Sequence, residues 1–278
     1  MIRVTSKKIL TFLFSLTVVL LSGCGQKDAY VNVNFQPIYD GTPLDCNSRF
    51  THENAKETKS VNQKKWQYQQ LQFFLYGVEI KSAKHGWQPW LMITNTFQSN
   101  NIALLGEVCG QNNTQANWQL KLGPLNNPHD VTDIRFTLGV PFSLNHLNPL
   151  TQVSPLNIPS MFWGWRGGHK FMRIELTSSN DDWLFHLGST GCKAASPVRA
   201  PKEECLQPNR VVVSLPFNAQ SLDINLNLAT LFRGLVLQHE SSCQSDVDDE
   251  NCKIIFDNLG LNSESGHEQL FLKANIND

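Results

Sequence analysis

The segment Leu222-Asp223-Ile224-Asn225-Leu226-Asn227-Leu228 alternates apolar and polar residues without a break. Successive side chains of an extended chain point to opposite faces, so this period of two gives one apolar face and one wet face. The pattern recurs in Val31-Asn32-Val33-Asn34-Phe35, Trp118-Gln119-Leu120-Lys121-Leu122 and Ile134-Arg135-Phe136-Thr137-Leu138. Phe171 to Leu176, Trp183 to Leu187 and Val211 to Leu215 are further strand candidates. Phe73 to Ile80 is apolar on both faces, as a sandwiched central strand is. Long helical periodicity is absent, and short helical turns are expected near Asn227 to Arg233 and Lys253 to Leu259. Turn clusters such as Leu125-Asn126-Asn127-Pro128 and Ser178-Ser179-Asn180-Asp181 separate the strands. The expected fold is all-β: an antiparallel β-sandwich with long disulfide-stapled loops and short helical turns. With 16 Phe, 7 Trp and 4 Tyr in 278 residues, a large core is available. The charges, 23 Lys and Arg against 24 Asp and Glu, exclude a nucleic-acid binder that works through a basic stripe.

Residues 1–23 read as a lipoprotein signal peptide. Arg3, Lys7 and Lys8 precede an apolar run, Ile9 to Leu21, that is shorter than the roughly 20 residues of a membrane-spanning helix. The run ends Leu21-Ser22-Gly23-Cys24, a lipobox pattern in which Cys24 becomes the acylated N-terminus. An acylated Cys24 anchors the chain to a membrane, and Gly25, by resemblance to lipoprotein sorting, favours the bacterial outer membrane. Residues 24–30 form the acylated Cys and a short tether, and 31–278 form a single domain. Six cysteines remain: Cys46, Cys109, Cys192, Cys205, Cys243 and Cys252. An even number in an exported chain reads as a disulfide framework with several pairings open. Proximity suggests Cys192–Cys205, Cys243–Cys252 and then Cys46–Cys109. There is no Cys-x-x-Cys of a zinc site.

The stretch from Gly139 to Cys192 carries the chemistry. It contains Leu144-Asn145-His146, Trp163-Gly164-Trp165, Gly167-Gly168-His169-Lys170-Phe171 and His186-Leu187-Gly188-Ser189-Thr190-Gly191-Cys192. In this order, with Pro208-Asn209-Arg210 and the Cys243/Cys252 pair behind them, these segments resemble the MbnP-like copper-binding proteins, the four-Cys members of metallo-mystery pairs. The resemblance runs from about Phe35 to Phe271. Three segments depart from the family pattern: His169 stands where a Tyr is expected, Gly106 where an Asp is expected, and Gln70-Leu71-Gln72-Phe73-Phe74 where Asp-Phe-Arg-Phe-Tyr is expected. The resemblance implies an exported copper binder without turnover of its own. It also implies a dihaem c-type cytochrome peroxidase-like partner that oxidises a Trp to kynurenine, which helps complete the copper site.

Copper favours imidazole, and disulfide sulfurs are not thiolates. His146, in a loop after Pro141, and His186, in a strand, are the candidate ligands. Asn145 and His169 are candidate supporting groups around the metal. Trp163 and Trp165, at i and i+2, are the candidates for oxidation; in an extended segment both indoles would share one face. His85, His129, His239 and His267 read as ordinary polar histidines, and His52 is left open as an N-terminal ligand. Asp246-Val247-Asp248-Asp249-Glu250 lacks the Gly and the ligand register of a calcium loop and reads as a solvated turn. The sequon Asn112-Asn113-Thr114 reads as accidental in a bacterial lipoprotein. A second reading is a non-catalytic carbohydrate-binding or adhesion lipoprotein whose exposed Trp stack on sugars. No nucleophile motif, carboxylate pair or nucleotide loop supports an enzyme.

Overall fold

The computed structural model describes residues 30–52, 64–110, 116–125, 128–217, 223–261 and 270–274. The segment expected to be a signal peptide, Cys24, His267 and the 112–114 sequon lie outside the described residues. Two sheets face each other. The smaller is built on Val31–Tyr39, which pairs with Asp223–Asn227 on one edge and with Gln119–Leu122 and Thr42–Pro43 on the other; Phe271–Lys273 adds to Asp223–Asn227. The pair Val31–Tyr39 with Asp223–Asn227 is parallel, Phe35 opposite Ile224. It is an exception to the antiparallel order expected from the sequence. The chain between these two strands builds the whole of the larger sheet, so they need not run antiparallel as hairpin neighbours do.

The larger sheet is organised by one strand, Lys65–Ser82. At about 3.3 Å per residue it is long enough to serve successive partners on each edge. Met172–Thr177 and then Val131–Leu138 lie on one side, and Ile102–Val108 and then Gly86–Pro89 on the other. Asp182–Leu187 pairs with Met172–Thr177, and Val211–Pro216 with Val131–Leu138.

Alternation on Lys65–Ser82 explains its two apolar faces. Phe73 points to the smaller sheet. There it meets Phe35 at 5.9 Å between ring centroids and Phe271 at 5.5 Å, with Phe136 closing the cluster on Phe35 and Phe271. These aromatic contacts, edge-to-face except for the tilted Phe73–Phe271 pair, join the sheets. Phe74 points the other way, onto His169 at 5.8 Å. The outer face of the larger sheet is therefore covered too, by the chain from Gly139 to Phe171. Two backbone bonds clamp this layer: Gly139 N–H to the Phe74 carbonyl (2.9 Å) and Phe74 N–H to the Phe171 carbonyl (2.8 Å).

Among the described residues, helix is confined to short pieces, as expected. Leu228–Leu231 follows the Asp223–Asn227 strand, with the Asn227 side chain accepting from Ala229 N–H. Glu250–Leu259 begins where Asp249 accepts from Asn251 and Cys252 N–H and ends at Gly260 in the left-handed region. The acidic run 246–250 is thus a helix start rather than only a solvated turn. The three disulfides are Cys46–Cys109, Cys192–Cys205 and Cys243–Cys252, the pairing that sequence proximity suggests. The Cys243–Cys252 bridge ties Glu250–Leu259 to the end of the Asp182–Leu187 strand, where Cys243 exchanges backbone bonds with Leu184 and His186.

Gly106 is required by close packing. Its φ is +112°, and a Cβ there would lie 1.9 Å from the Leu71 carbonyl oxygen. Gly41 has φ +76° with nothing within 4 Å. Gly106→Ala is expected to cost about 2–4 kcal/mol, backbone strain plus overpacking. Gly41→Ala, with strain alone, is expected to cost about 1 kcal/mol. Urea denaturation midpoints of the two variants check the difference; equal shifts would contradict it.

Candidate metal centre

The outer face of the larger sheet carries polar residues where the loop layer covers it. Gln70 and Gln72 stand beside Glu175 and Arg173 in the pairing register, and Arg173 stands opposite His186. Gln70, Gln72 and His186 are buried. A buried polar group needs a partner, and the register supplies most of them. The Gln70 side-chain amide donates to Gln72 Oε1 at 2.7 Å, and Arg173 Nε donates to Glu175 Oε1 at 2.7 Å and Nη1 to the Ser160 carbonyl at 3.0 Å. Lys170 Nζ donates to the same carbonyl at 3.0 Å, and burial together with Arg173 holds its pKa down at about 8.

His186 is the exception in this layer. Its Nε2 lies 3.1 Å from Glu175 Oε1, while Nδ1 is buried with no hydrogen-bond partner. Burial, ahead of the opposing pull of Glu175, lowers the His186 pKa, so the ring is neutral at pH 7. Glu175 in turn is held down at about 2, first by its bond to His186 and then, against the cost of burial, by Arg173. A lowered imidazole and a lowered carboxylate agree if a neutral ring donates Nε2–H to the carboxylate. Nδ1 then carries a bare, buried lone pair. A carboxylate fixing one ring nitrogen while the other is exposed to a ligand is the arrangement that prepares histidine for a metal.

His146 sits in a second environment. The chain leaves Val131–Leu138 and makes one helical turn, Phe142–Asn145, that His146 ends. It is a buried residue, 4% exposed, rather than part of the open polar loop expected from the sequence. Asn145 fixes the ring. Its Oδ1 accepts the His169 N–H at 2.8 Å, so its amide nitrogen faces His146 Nε2 at 3.2 Å as a donor. Nε2 therefore holds the lone pair, and Nδ1–H donates to the Trp165 carbonyl at 3.2 Å. Burial lowers the pKa, with the Trp165 carbonyl opposing and Arg210 adding to it. Gly168 makes room for this amide: a Cβ there would fall 2.7 Å from the Asn145 side chain. Asn145, a sequence candidate, thus contacts both His146 and His169.

His169 is fully buried, with Nδ1 at 2.7 Å from the Asn145 carbonyl and Nε2 at 3.1 Å from the Leu156 carbonyl. Burial outweighs both carbonyls and lowers its pKa. Its role is to pin the loop layer. His52 has both nitrogens engaged, by Tyr39 hydroxyl at 2.8 Å and the Leu235 carbonyl at 3.0 Å, which makes it a packing histidine.

The two tryptophans part company. The extended segment Phe162–Gly164 stops at Gly164, whose φ is +152°, and Trp165 lies in the turn before Gly168–His169. The single shared face expected from i, i+2 spacing needs extended backbone through both residues, and Gly164 ends it. Trp163 packs on Gly188, where a Cβ would lie 2.4 Å from its ring. It walls a cleft of about 230 Å³ together with Arg166, Ser189, Thr190, Cys192 and Gln244. Trp165 is 38% exposed.

Among the described residues, one group of three or more candidate ligands converges: His146, Cys192 and Cys205, their donor atoms within 4.8 Å of one another. His186 is not in it. The structure therefore places the two predicted imidazoles in separate surroundings, His146 against the Cys192–Cys205 disulfide and His186 against Glu175. The sequence reading did not single out Glu175. The alternation Arg173-Ile174-Glu175, once paired with Asp182–Leu187, is the signal that could have found it.

A family model described as MbnP matches residues 28–245. Among solved structures the chain is similar to MbnP from Methylosinus trichosporium, with 23% identity and a TM-score of 0.67, covering 82% of this chain and 87% of that one. At that identity the likeness shows a shared fold. No curated protein matches the sequence.

The Glu175 carboxylate has a folded pKa of about 2, below its ordinary value of 4.5. Its contribution to stability is full above pH 4.5 and is lost as the pH falls from there toward 2. Glu175→Gln is expected to cost about 1–3 kcal/mol at pH 7 and to flatten the acid limb of the stability profile. Urea denaturation between pH 3 and 7 (roughly the span over which such a carboxylate titrates) checks this. A variant whose acid limb matches the native protein's would contradict it.

Proposed function

The chain belongs to the MbnP family, and on that premise we propose that it is an exported copper-binding lipoprotein, anchored to the outer membrane through Cys24, that binds metal and does not turn over a substrate. The observation that carries the reading is His186, a neutral imidazole with one nitrogen held by Glu175 and the other buried without a partner. Bound copper would draw on such imidazole donors. His186 would offer Nδ1, with Glu175 raising its basicity and fixing the ring. His146, whose Nε2 carries the lone pair, is a further imidazole donor in separate surroundings, and Asn145 sets its tautomer.

The reading extends to a partner. A dihaem c-type peroxidase-like enzyme would oxidise Trp163 or Trp165 to kynurenine. The indole C2–C3 bond is cleaved with oxygen entering from the enzyme's oxidant, and hydrolysis releases C2 as formate. Two observations support these residues: Trp163 walls a surface cleft, and Trp165 is exposed while its carbonyl holds the His146 ring.

Copper titration of the oxidised protein is expected to show binding that falls more than about tenfold in His186→Ala and about 10–100-fold in Glu175→Gln. Affinity unchanged in both His146→Ala and His186→Ala would reject the ligand assignment. Intact mass of protein made with and without the dihaem enzyme is expected to differ by about four mass units, localised to the peptide carrying Trp163 and Trp165. No shift would reject the modification.

A further inference from the structure

The group formed by His146 Nε2, Cys192 Sγ and Cys205 Sγ has a chemistry the oxidised protein does not use. Joined as a disulfide, the sulfurs are uncharged and poor ligands. As thiolates they are the donors that soft ions prefer. We propose that Cys192–Cys205 is a latent chelate: reduction by a dithiol converts Cys192, Cys205 and His146 into a Cys2His site for a soft ion, Cu(I) first among them.

Access, a prepared third ligand and a frame that outlasts the S–S bond support this. Cys192 is partly exposed and lines the cleft walled by Trp163 and Arg166. A thiolate entering there reaches Cys192 in a cleft that Arg166 also lines. Cys205 is 4% exposed and lies on the inner side, its sulfur 3.7 Å from His146 Nε2. The imidazole is already in the ligating form, with Nδ1–H committed to the Trp165 carbonyl. Below the bridge, Thr190 and Gln207 exchange backbone bonds of 2.9 and 3.1 Å, so the two segments that carry the cysteines stay paired when the sulfurs part. Tetrahedral thiolate ligands sit about 3.8 Å apart, a separation that side-chain rotation reaches. The other disulfides lack one element or another. Cys243 and Cys252 are fully buried, and Cys109 Sγ faces the Tyr68 carbonyl.

The step balances as thiol–disulfide exchange. A dithiol's first thiolate attacks Cys192 Sγ, the Cys192–Cys205 bond breaks, and Cys205 leaves as thiolate and takes up a proton. The second thiolate resolves the mixed disulfide and releases Cys192, which is protonated in turn. The protein gains two electrons and two protons, and the reductant becomes a disulfide. Metal binding then releases two thiol protons to solvent.

This site shares only His146 with the copper reading above and depends on neither His186 nor Trp oxidation. The test uses the full chain, titrated anaerobically with dithiothreitol. Freed thiols are mapped by alkylation and peptide mass, and Cu(I) affinity is then measured against a chromophoric Cu(I) chelator. Cys192 and Cys205 are expected to be alkylated first, and Cu(I) affinity is expected to rise about 100-fold on reduction. Cys192→Ser/Cys205→Ser is expected to abolish the rise. His146→Gln, which keeps all three disulfides and serves if the double variant does not fold, is expected to cut it about tenfold. His186→Ala is expected to keep the rise while losing binding in the oxidised state. If it loses neither, the copper reading fails and this one stands. Release of other cysteines first, no rise in the reduced native protein, or a rise that survives in Cys192→Ser/Cys205→Ser would overturn the proposal.

Discussion

The burial of both faces of Lys65–Ser82 governs the rest of the structure. One face makes the sandwich, through Phe73 and the aromatic cluster it forms with Phe35, Phe136 and Phe271. The other face carries Gln70, Gln72 and Phe74 and cannot be left to water, because Phe74 would be exposed. The chain from Gly139 to Phe171 covers it. That cover traps polar groups, and each must then find a partner at short range. The bonds made by Arg173, Lys170 and Asn145 follow from this demand. Among the described residues, His186 Nδ1 is one of three buried side-chain atoms that the demand leaves unmet, with Thr190 Oγ1 and Arg210 Nη2. An unmet buried donor or acceptor costs free energy in the empty protein, and a ligand that accepts its lone pair recovers that cost.

The glycines around the layer serve the same end. Gly168 admits the Asn145 amide, and Gly188 admits the Trp163 ring. Both lie within motifs of the signature stretch, so two of its glycines are explained by close approach of a neighbouring side chain. Asn145 then orders three things at once: the His146 tautomer, the His169 backbone and, through its own carbonyl, the His169 ring.

Much of this was legible in the sequence where a local rule applied. Period-two alternation in Val31 to Phe35, Ile134 to Leu138 and Leu222 to Leu228 pointed to the strands Val31–Tyr39, Val131–Leu138 and Asp223–Asn227, and the double-faced run Phe73 to Ile80 announced a strand covered on both sides. Short separations suggested the three disulfides. What was not legible depends on contacts between segments far apart in the chain. Val31–Tyr39 and Asp223–Asn227 pair in parallel because of what the intervening chain builds, which neither strand's pattern records. Gly164 broke the extended run between Trp163 and Trp165, so spacing alone misplaced Trp165. His146, in a loop, and His186, in a strand, are both motif histidines, yet one meets a disulfide and the other a carboxylate. Glu175 acquires its role only through pairing with a strand whose partner face the sequence does not name.

His186 stands at the centre of the proposed site as a neutral Nε2–H tautomer whose Nδ1 can accept copper. Side-chain nitrogen NMR of the protein labelled at histidine, recorded at neutral pH before and after one equivalent of Cu(I), tests it most directly. An Nε2–H correlation for His186 is expected in the metal-free protein, and added copper is expected to shift its Nδ1 more than its Nε2. A proton on Nδ1, or a His186 Nδ1 resonance that copper leaves in place, would contradict it.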